Sequence, residues 1–370
     1  MIISTLTILT KNHILLMKDK YVSFDYWFGG WNNIRMTFEL VGAISYVTGR
    51  TIILPPKGYC LFLSEHHDKN TFFDAWKILD KKSYLSQFNC IEYEDSILTK
   101  YSSKQQYYDG INQDIDCIMF GDEFTNWGPQ QFPNKGVIVH NIEDQDHYQE
   151  FTKDGRTKYQ LPLNKEIIHF PRNLFGHFGY HVYPPNDFAA KVLQQKIRDG
   201  VKLRPEFEEQ AKILMSGDYD ALHVRRNDFK YVHTKTVEDQ IAELPKLIEG
   251  RVRKDKPLFI ATDEKDKSLF NCLKDYNIKF LSDIASDLED HVSLSLDTLI
   301  CSNADTFLGS RYSTFSEYIH IVRGYKNKKD FSRDGINIQR NKINYKKYPW
   351  EVEQYDWANP WCELYYGRKI

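Results

Sequence analysis

Net charge of one sign, cysteine motifs and long apolar runs are all missing from this chain. Over 370 residues, 49 Lys+Arg stand against 51 Asp+Glu, leaving a net charge of −2. That balance excludes the broadly basic surface of a general nucleic-acid binder, but not one local basic pocket for an anion. No apolar run nears the ~18 residues that a bilayer requires, so no membrane-spanning helix is expected; mean hydropathy is −0.56. The six cysteines, Cys60, Cys90, Cys117, Cys272, Cys301 and Cys362, include no C-x-x-C pair. A zinc ribbon or thioredoxin-like site is thereby disfavoured. No Asn-x-Ser/Thr glycosylation acceptor is present. Met1–Met17 is mildly apolar but broken by Lys11 and His13, and is not read as a signal peptide. Reduced thiols and a cytoplasmic location are therefore expected, with the lumen of the secretory pathway as the alternative. What the chain does have is 41% hydrophobic and 15% aromatic residues. That composition excludes a disordered polymer, and the length suits about two domains.

Short apolar strands alternate with helical patterns along the chain. Tyr21–Trp27 reads as a strand, Gly29 to Asn33 as a loop, and Arg35–Thr48 as a helix with Met36, Leu40, Ile44 and Val47 on one face. Gly49 supplies its stop. Thr51–Leu54 follows as a strand, and Cys117–Phe120, Gly136–His140 and Glu166–Phe170 are further candidates. After Pro184-Pro185 come helical stretches Asp187–Arg198 and Pro205–Met215. Then strands Asp220–Val224, Pro257–Thr262, Ile278–Ser282 and Thr306–Leu308 alternate with helices Val237–Glu249, Lys265–Lys274, Leu288–Ser302 and Ser313–Arg323. Such alternation predicts an α/β fold with parallel sheets. Two blocks parted near Pro184–Pro205 suggest two Rossmann-like domains facing across a cleft, over 1–190 and 191–325. The tail, 326–370, is expected to pack back on the body.

Open parallel sheets bind ligands beyond the carboxyl ends of their strands, and that rule sorts the polar clusters. Gly29-Gly30-Trp31-Asn32-Asn33-Ile34-Arg35 joins a strand to a helix. Paired glycines permit close backbone approach to a ligand, but the segment lacks the full G-x-G-x-x-G fingerprint and reads equally as an ordinary turn. His223-Val224-Arg225-Arg226-Asn227-Asp228-Phe229 ends a strand with two arginines beside an acid. Either this is a phosphate fork or a surface ion pair. Asp297 sits off the apolar stripe of Val292, Leu296, Leu299 and Ile300, as a solvated carboxylate would. In Gly309-Ser310-Arg311-Tyr312-Ser313-Thr314-Phe315-Ser316, Ser313 or Thr314 caps a helix whose free N–H groups could also hold phosphate.

Together these segments resemble the GDP-fucose protein O-fucosyltransferase family. His223 to Phe229 is similar to its H-x-R-R-x-D-F motif, and Gly309 to Phe315 to its G-[TS]-x-x-S-T-F motif. Asp297 stands at the distance before Ser313 where the family carries an acid. Phe72-Phe73-Asp74 followed by Ile91-Glu92-Tyr93-Glu94 resembles a weaker segment, and Gly29 to Arg35 the G-G-x-N-x-x-R of plant-type members. The resemblance runs from about Tyr21 to Arg323.

The resemblance implies a GT-B enzyme that moves L-fucose from GDP-fucose to a hydroxyl with inversion and without a metal. The nucleotide would bind mainly in the second domain and the acceptor toward the first. A serine or threonine of a protein is the expected acceptor. The alternatives are a glycan or small-molecule acceptor, or a non-catalytic GDP-sugar-binding module. Arg225 is the expected catalytic residue, and Gly30, Asn32, His223, Arg225, Asp228, Asp297, Ser313, Thr314 and Phe315 the donor-binding set. The chemistry agrees. Charge building on leaving GDP needs a stabiliser, which Arg225 and the helix start at Ser313 can supply. The carboxylate of Asp297 can accept the N1–H and 2-amino donors of guanine, and adenine lacks both. Asp228 would orient the arginines.

One departure matters. Gly29 stands where members that modify thrombospondin repeats carry a glutamate taken as the base. Asp25, Glu39 and Asp74 are the nearby substitutes, or the reaction is dissociative with a weak base or none. Asp-x-Asp pairs that could hold a divalent cation occur at Asp114/Asp116, Asp144/Asp146 and Asp218/Asp220. The first and third precede expected strands, at the end away from ligands. His66-His67 and His177/His181 lack a third ligand at suitable spacing, and no G-x-S-x-G elbow is present.

Overall fold

The computed structural model describes residues 20–24, 26, 30–58, 60, 63, 73–96, 115–117, 148–149, 158–159, 167–170, 187–226, 241–310 and 313–326. The chain divides into two compact units, Met1–Asp74 with Lys81–Val201, and Ala75–Asp80 with Lys202–Ile370.

The first unit is built on β1 (Tyr21–Phe24), α1 (Trp31–Thr48), β2 (Thr51–Ile53), α2 (Lys81–Gln87), β3 (Cys90–Ile91), β4 (Ile115–Cys117), the small hairpin β5 (Tyr148–Gln149) and β6 (Lys158–Tyr159), β7 (Ile167–Phe170) and α3 (Asp187–Gly200). Its main sheet has the order β3-β2-β1-β7-β4. Every pairing in it is parallel, with Tyr21 opposite Thr51 on one side and Ile167 on the other. The expected strand Cys117–Phe120 forms earlier, so Asp116 lies inside β4 and not ahead of it. The expected strand Gly136–His140 lies outside the described residues.

Helix α1 begins at Trp31, four residues before the expected start. Gly30 is extended, and the first turn closes at once through Asn33 N–H to Gly30 C=O (3.0 Å). The helix is apolar on more than one face: Ile34, Met36, Phe38, Leu40, Val41, Ala43 and Ile44 are all 2% exposed or less. It ends, as expected, at Gly49 with φ 70°, a conformation that costs other residues strain. Phe24 and Phe38 meet edge-on at 4.9 Å, and Phe38 meets Tyr84 at 5.6 Å. Helix α3 belongs to this unit. Lys196 Nζ donates to Gln87 C=O (3.0 Å), and Gly200 lies so close to Phe88 that a Cβ would come within 2.8 Å of its ring. The long segment of the second unit opens at Lys202.

The second unit contains α4 (Pro205–Leu214), β8 (Asp220–Val224), α5 (Leu244–Ile248), β9 (Pro257–Thr262), β10 (Asn277–Lys279), α6 (Leu281–Ile284), α7 (Asp290–Asn303), β11 (Phe307–Leu308) and α8 (Thr314–Tyr325). It also takes the excursion Ala75–Asp80, stitched in by Asp80 N–H to Lys202 C=O (3.0 Å) and Arg204 N–H to Ile78 C=O (2.9 Å). The sheet order is β10-β9-β8-β11, all parallel, with Val224 level with Thr262. Its core includes Leu222, Val224, Leu258, Ile260, Phe270 and Leu273, each 1% exposed or less. The expected helix at Lys265–Lys274 is a 3-10 helix, Lys267–Leu273, opened by Asp266 accepting from Ser268 N–H (3.0 Å). The expected strand Ile278–Ser282 stops at Lys279, because Asp283 turns back to accept from Phe280 N–H (2.9 Å) and starts α6.

Two charged residues hold the amino-terminal side of this sheet. Asp220 accepts from Arg253 Nη2 (2.8 Å), Arg253 Nε (3.0 Å), Arg253 N–H (2.8 Å) and Thr306 N–H (3.2 Å). Burial alone would raise its carboxyl, but the hydrogen bonds from Arg253 outweigh that and hold it low. Asp220 of the Asp218/Asp220 pair is thus an anchor of the sheet. Arg323 is 1% exposed and donates to the carbonyls of Ala304 (2.5 Å) and Asp305 (2.7 Å). It satisfies carbonyls just past the end of α7, where a cation is favoured.

Candidate active site

The polar residues of the second unit gather where β8, β9 and β11 end. His223, one residue before the end of β8, is 5% exposed. Its Nδ1 lies 2.6 Å from Ser316 Oγ on α8, and its ring is 4.6 Å from that of Phe315. Burial, and then the charge of Arg225, push its pKa down to about 3, so the imidazole is neutral near pH 7. Ser310 ties β8 to the end of β11. Its hydroxyl donates to His223 C=O (2.8 Å) and accepts from Arg225 N–H (2.9 Å).

The two arginines divide their work. Arg225 keeps 23% of its side chain exposed, with Nε 3.6 Å from Asp263 Oδ2. Arg226 is 1% exposed, with Nε 3.6 Å from Glu264 Oε2, and its backbone N–H donates to Asp263 Oδ1 (2.6 Å). Among the described residues, Asp263 and Glu264 are the acids that orient the pair. Asp228, to which that task was assigned from the sequence, lies outside them, as do Asp25 and Gly29. Asp263-Glu264 directly follows β9, so the same strand-end rule that selected Arg225 would have found it.

At β11 the chain turns through Gly309 and Ser310 into α8. Ser313 is the N-cap, its Oγ accepting from Ser316 N–H (3.5 Å), and Thr314 opens the helix. Gly309 allows this close return, since a Cβ there would lie 2.6 Å from Ser316 Cβ and 2.8 Å from its Oγ. Gly309→Ala is therefore expected to push Ser316 away from His223, costing about 1–3 kcal/mol of stability as other overpacking changes do. A thermal melt checks this, and an unchanged midpoint would contradict the tight packing.

Asp297 departs from the solvated carboxylate of the sequence reading. It lies on α7, and part of the residue remains open, yet its Oδ1 is fully covered and has no hydrogen-bond partner among the described residues. Burial raises its pKa to about 7, against a smaller opposing effect from the charge of Lys267. Lys267, overlooked in the sequence, donates to Glu264 C=O (2.6 Å) and stands 4.8 Å over the Phe280 ring. It feels Asp297, Glu264, Asp283 and Asp263 together, so it links α7 electrostatically to the end of β9.

In the first unit, Gly30 is the N-cap of α1, without a side-chain cap. Asn32 is 5% exposed, and its Oδ1 accepts from Arg35 Nε (3.1 Å). Arg35 Nη1 in turn donates to Glu39 Oε1, a buried pair one helical turn apart. Among the described residues, no group of three or more His, Cys, Asp or Glu side chains is placed to hold a metal ion.

The family model for GDP-fucose protein O-fucosyltransferase matches residues 21–326. The chain belongs to that family. GDP-fucose protein O-fucosyltransferase 2 of Plasmodium berghei (strain Anka) is 28% identical over 149 residues, 37% of this chain. The match spans 31% of that relative, about a third of its length. Among solved structures, POFUT1 in complex with GDP is 14% identical, with 84% of this chain and 96% of that one covered at a TM-score of 0.45. NodZ alpha-1,6-fucosyltransferase co-crystallized with GDP is also 14% identical, with 83% and 93% covered at a TM-score of 0.48. A further NodZ structure, from Bradyrhizobium, is 13% identical at a TM-score of 0.45, covering 83% of this chain and 94% of that one. The α/β assignment of this O-fucosyltransferase family member rests on its own two parallel sheets.

Proposed function

We propose that this protein is an inverting glycosyltransferase that moves L-fucose from GDP-fucose to a hydroxyl acceptor, a serine or threonine of a protein, without a metal ion. The observation that carries the reading is Asp297 Oδ1, a covered carboxylate oxygen with no hydrogen-bond partner among the described residues, in the unit that also holds Arg225. A buried acceptor without a donor is costly. Guanine supplies two adjacent donors, N1–H and the 2-amino group, which a carboxylate matches. Phe315 and neutral His223 add a flat apolar face and a ring nitrogen beside the nucleotide.

In the reaction the bond from fucose C1 to the β-phosphate oxygen breaks, and its electron pair leaves with GDP. The acceptor oxygen bonds to C1 from the opposite face and loses its proton. Arg225 meets the charge growing on the diphosphate. The N–H groups at the start of α8 reinforce it, since a helix N-terminus favours anions. Arg225 presents a planar fork of donors and is partly open, so it can do in this chain what a divalent cation does elsewhere. With Glu39 committed to Arg35, a dissociative path with oxocarbenium character at C1 asks least of a base.

Two assays test this reading. GDP release from GDP-fucose in EDTA should match that in magnesium or manganese; a strict metal requirement would refute the role given to Arg225. Radiolabelled fucose offered to protein and glycan acceptors should appear on protein, and label found only on glycan would replace the serine/threonine acceptor.

A further inference from the structure

Lys267 opens the 3-10 helix Lys267–Leu273, and two contacts fix its ammonium. Nζ donates to Glu264 C=O (2.6 Å) and stands 4.8 Å over the Phe280 ring. Phe280 leads into α6; α6 and α7 pack on each other, and both pack on β9. Lys267 and Asp297 are thus brought together by neighbouring elements of one unit. Of the acids that Lys267 feels, Asp297 acts on it most strongly, ahead of Glu264, Asp283 and Asp263. Asp297 in turn feels Lys267 as its opposing charge. The thiol of Cys301, one turn further along α7, is kept neutral by burial. Yet no hydrogen bond or ion pair joins Lys267 to Asp297, whose Oδ1 is covered and unpartnered among the described residues. An ammonium has three donors and no acceptor, and a carboxylate has acceptors only. Together the two side chains present a donor beside two acceptors.

We propose that Lys267 is a specificity-determining residue: its ammonium donates to the 6-oxo oxygen of guanine while Asp297 accepts from N1–H and the 2-amino group, a role that rests on the guanine contact proposed above for Asp297. The edge of guanine runs acceptor, donor, donor, which complements this pair as it complements cytosine. Adenine begins with a donor, its 6-amino group, and continues with an acceptor, N1. It would set donor against ammonium and lone pair against carboxylate. Asp297 alone does not sense the group at position 6; Lys267 does. One ammonium N–H is committed to Glu264, and the face of Phe280 attracts the charge without consuming a hydrogen-bond acceptor. A donor is left for the base.

Calorimetric titration of the full chain with GDP, IDP and ADP, in the wild type, Lys267→Met and Asp297→Asn, tests the assignment beside a thermal melt. IDP keeps the 6-oxo group and N1–H but lacks the 2-amino group. Each protein is measured where its GDP/ADP affinity ratio has levelled off with pH, so that the charge on Asp297 is not what varies. Lys267→Met keeps an unbranched stem against Phe280. It should weaken GDP and IDP alike, about 10- to 100-fold, the loss of one charge-assisted hydrogen bond, and leave ADP unweakened. Asp297→Asn should instead weaken GDP more than IDP, because only GDP offers the 2-amino group. An equal loss for ADP in Lys267→Met would make Lys267 a support of the fold or of the diphosphate and overturn the proposal. A larger loss for GDP than for IDP in that variant would make it a mere counter-charge of Asp297, and overturns it too. If Lys267→Met fails to fold, the wild type decides with 6-thio-GDP, in which a weakly accepting sulfur replaces the 6-oxo oxygen. Affinity at least about tenfold below that of GDP is expected, and equal affinity overturns the proposal. A wild-type chain that binds GDP no better than ADP would refute guanine recognition by Asp297, the underlying reading. A wild-type preference for GDP that persists unchanged in Lys267→Met refutes only the role of Lys267.

Discussion

Replacing Arg225 by alanine is expected to lower fucose transfer about 10²–10³-fold, the usual effect of removing one group that meets transition-state charge. The chain should stay folded. Arg225 is partly exposed, its ion pair with Asp263 is 3.6 Å long, and both side chains meet solvent; such pairs contribute on the order of 1 kcal/mol or less. Its neighbour provides the control. Arg226 is 1% exposed, beside the partly exposed Glu264, so its removal empties a buried site and should lower the melting temperature as well as activity. The contrast is between one variant that melts normally and fails to transfer, and another that fails at both. Initial rates of GDP release and a thermal melt on each are sufficient. Full transfer by Arg225→Ala would remove it from the mechanism. The serine bridge adds a subtler expectation of the same origin: Ser310 fixes the backbone of Arg225 through its N–H, so the guanidinium is aimed by β11 as well as by Asp263.

How much of this was legible in the sequence depended on whether an element is decided locally. Strands β8 and β9 fall where alternation and flanking turns put them, Asp220–Val224 and Pro257–Thr262. They are central, apolar runs whose ends are marked by charge. The N-cap at Ser313 was equally readable, because a hydroxyl before a helix is a local signal. Misjudged features depended on distant partners. The start of α1 at Trp31 was hidden because Asn32 and Asn33, just after two glycines, look like a polar loop until Asn32 is seen to accept from Arg35 within the helix. Asp297 looked solvated because its place off the apolar stripe of α7 says nothing about what covers that flank. Lys267 was passed over because it gains meaning only from Asp297, far from it in sequence, whereas Asp263 directly follows β9 and the strand-end rule applied to it as it did to Arg225. The crossing of Ala75–Asp80 into the second unit has no compositional mark at all.

The preference for GDP over ADP should rise about tenfold per pH unit toward pH 7 and then level off, because one proton must leave Asp297 before guanine can bind. Burial lifts this carboxyl from its ordinary 3.8 to about 7 in the ligand-free chain. The folded state thus holds a proton that the unfolded state releases. The stability this group contributes is complete below about pH 4 and is lost as pH rises through about 7. Guanine reverses the balance. Its N1–H and 2-amino donors favour the charged carboxylate, so binding draws the pKa back down and releases the proton. ADP carries the same diphosphate, with its own titration, but lacks both donors. The ratio of the two affinities therefore isolates the base from the phosphates. Calorimetric titration of GDP and ADP from about pH 5 to about pH 8 checks the slope. In Asp297→Asn the ratio should be small and flat across that range. The ligand-free variant should also gain stability above about pH 7, where the wild type bears a buried charge. A ratio that is already large and flat in the wild type would show that guanine is recognised by some other group.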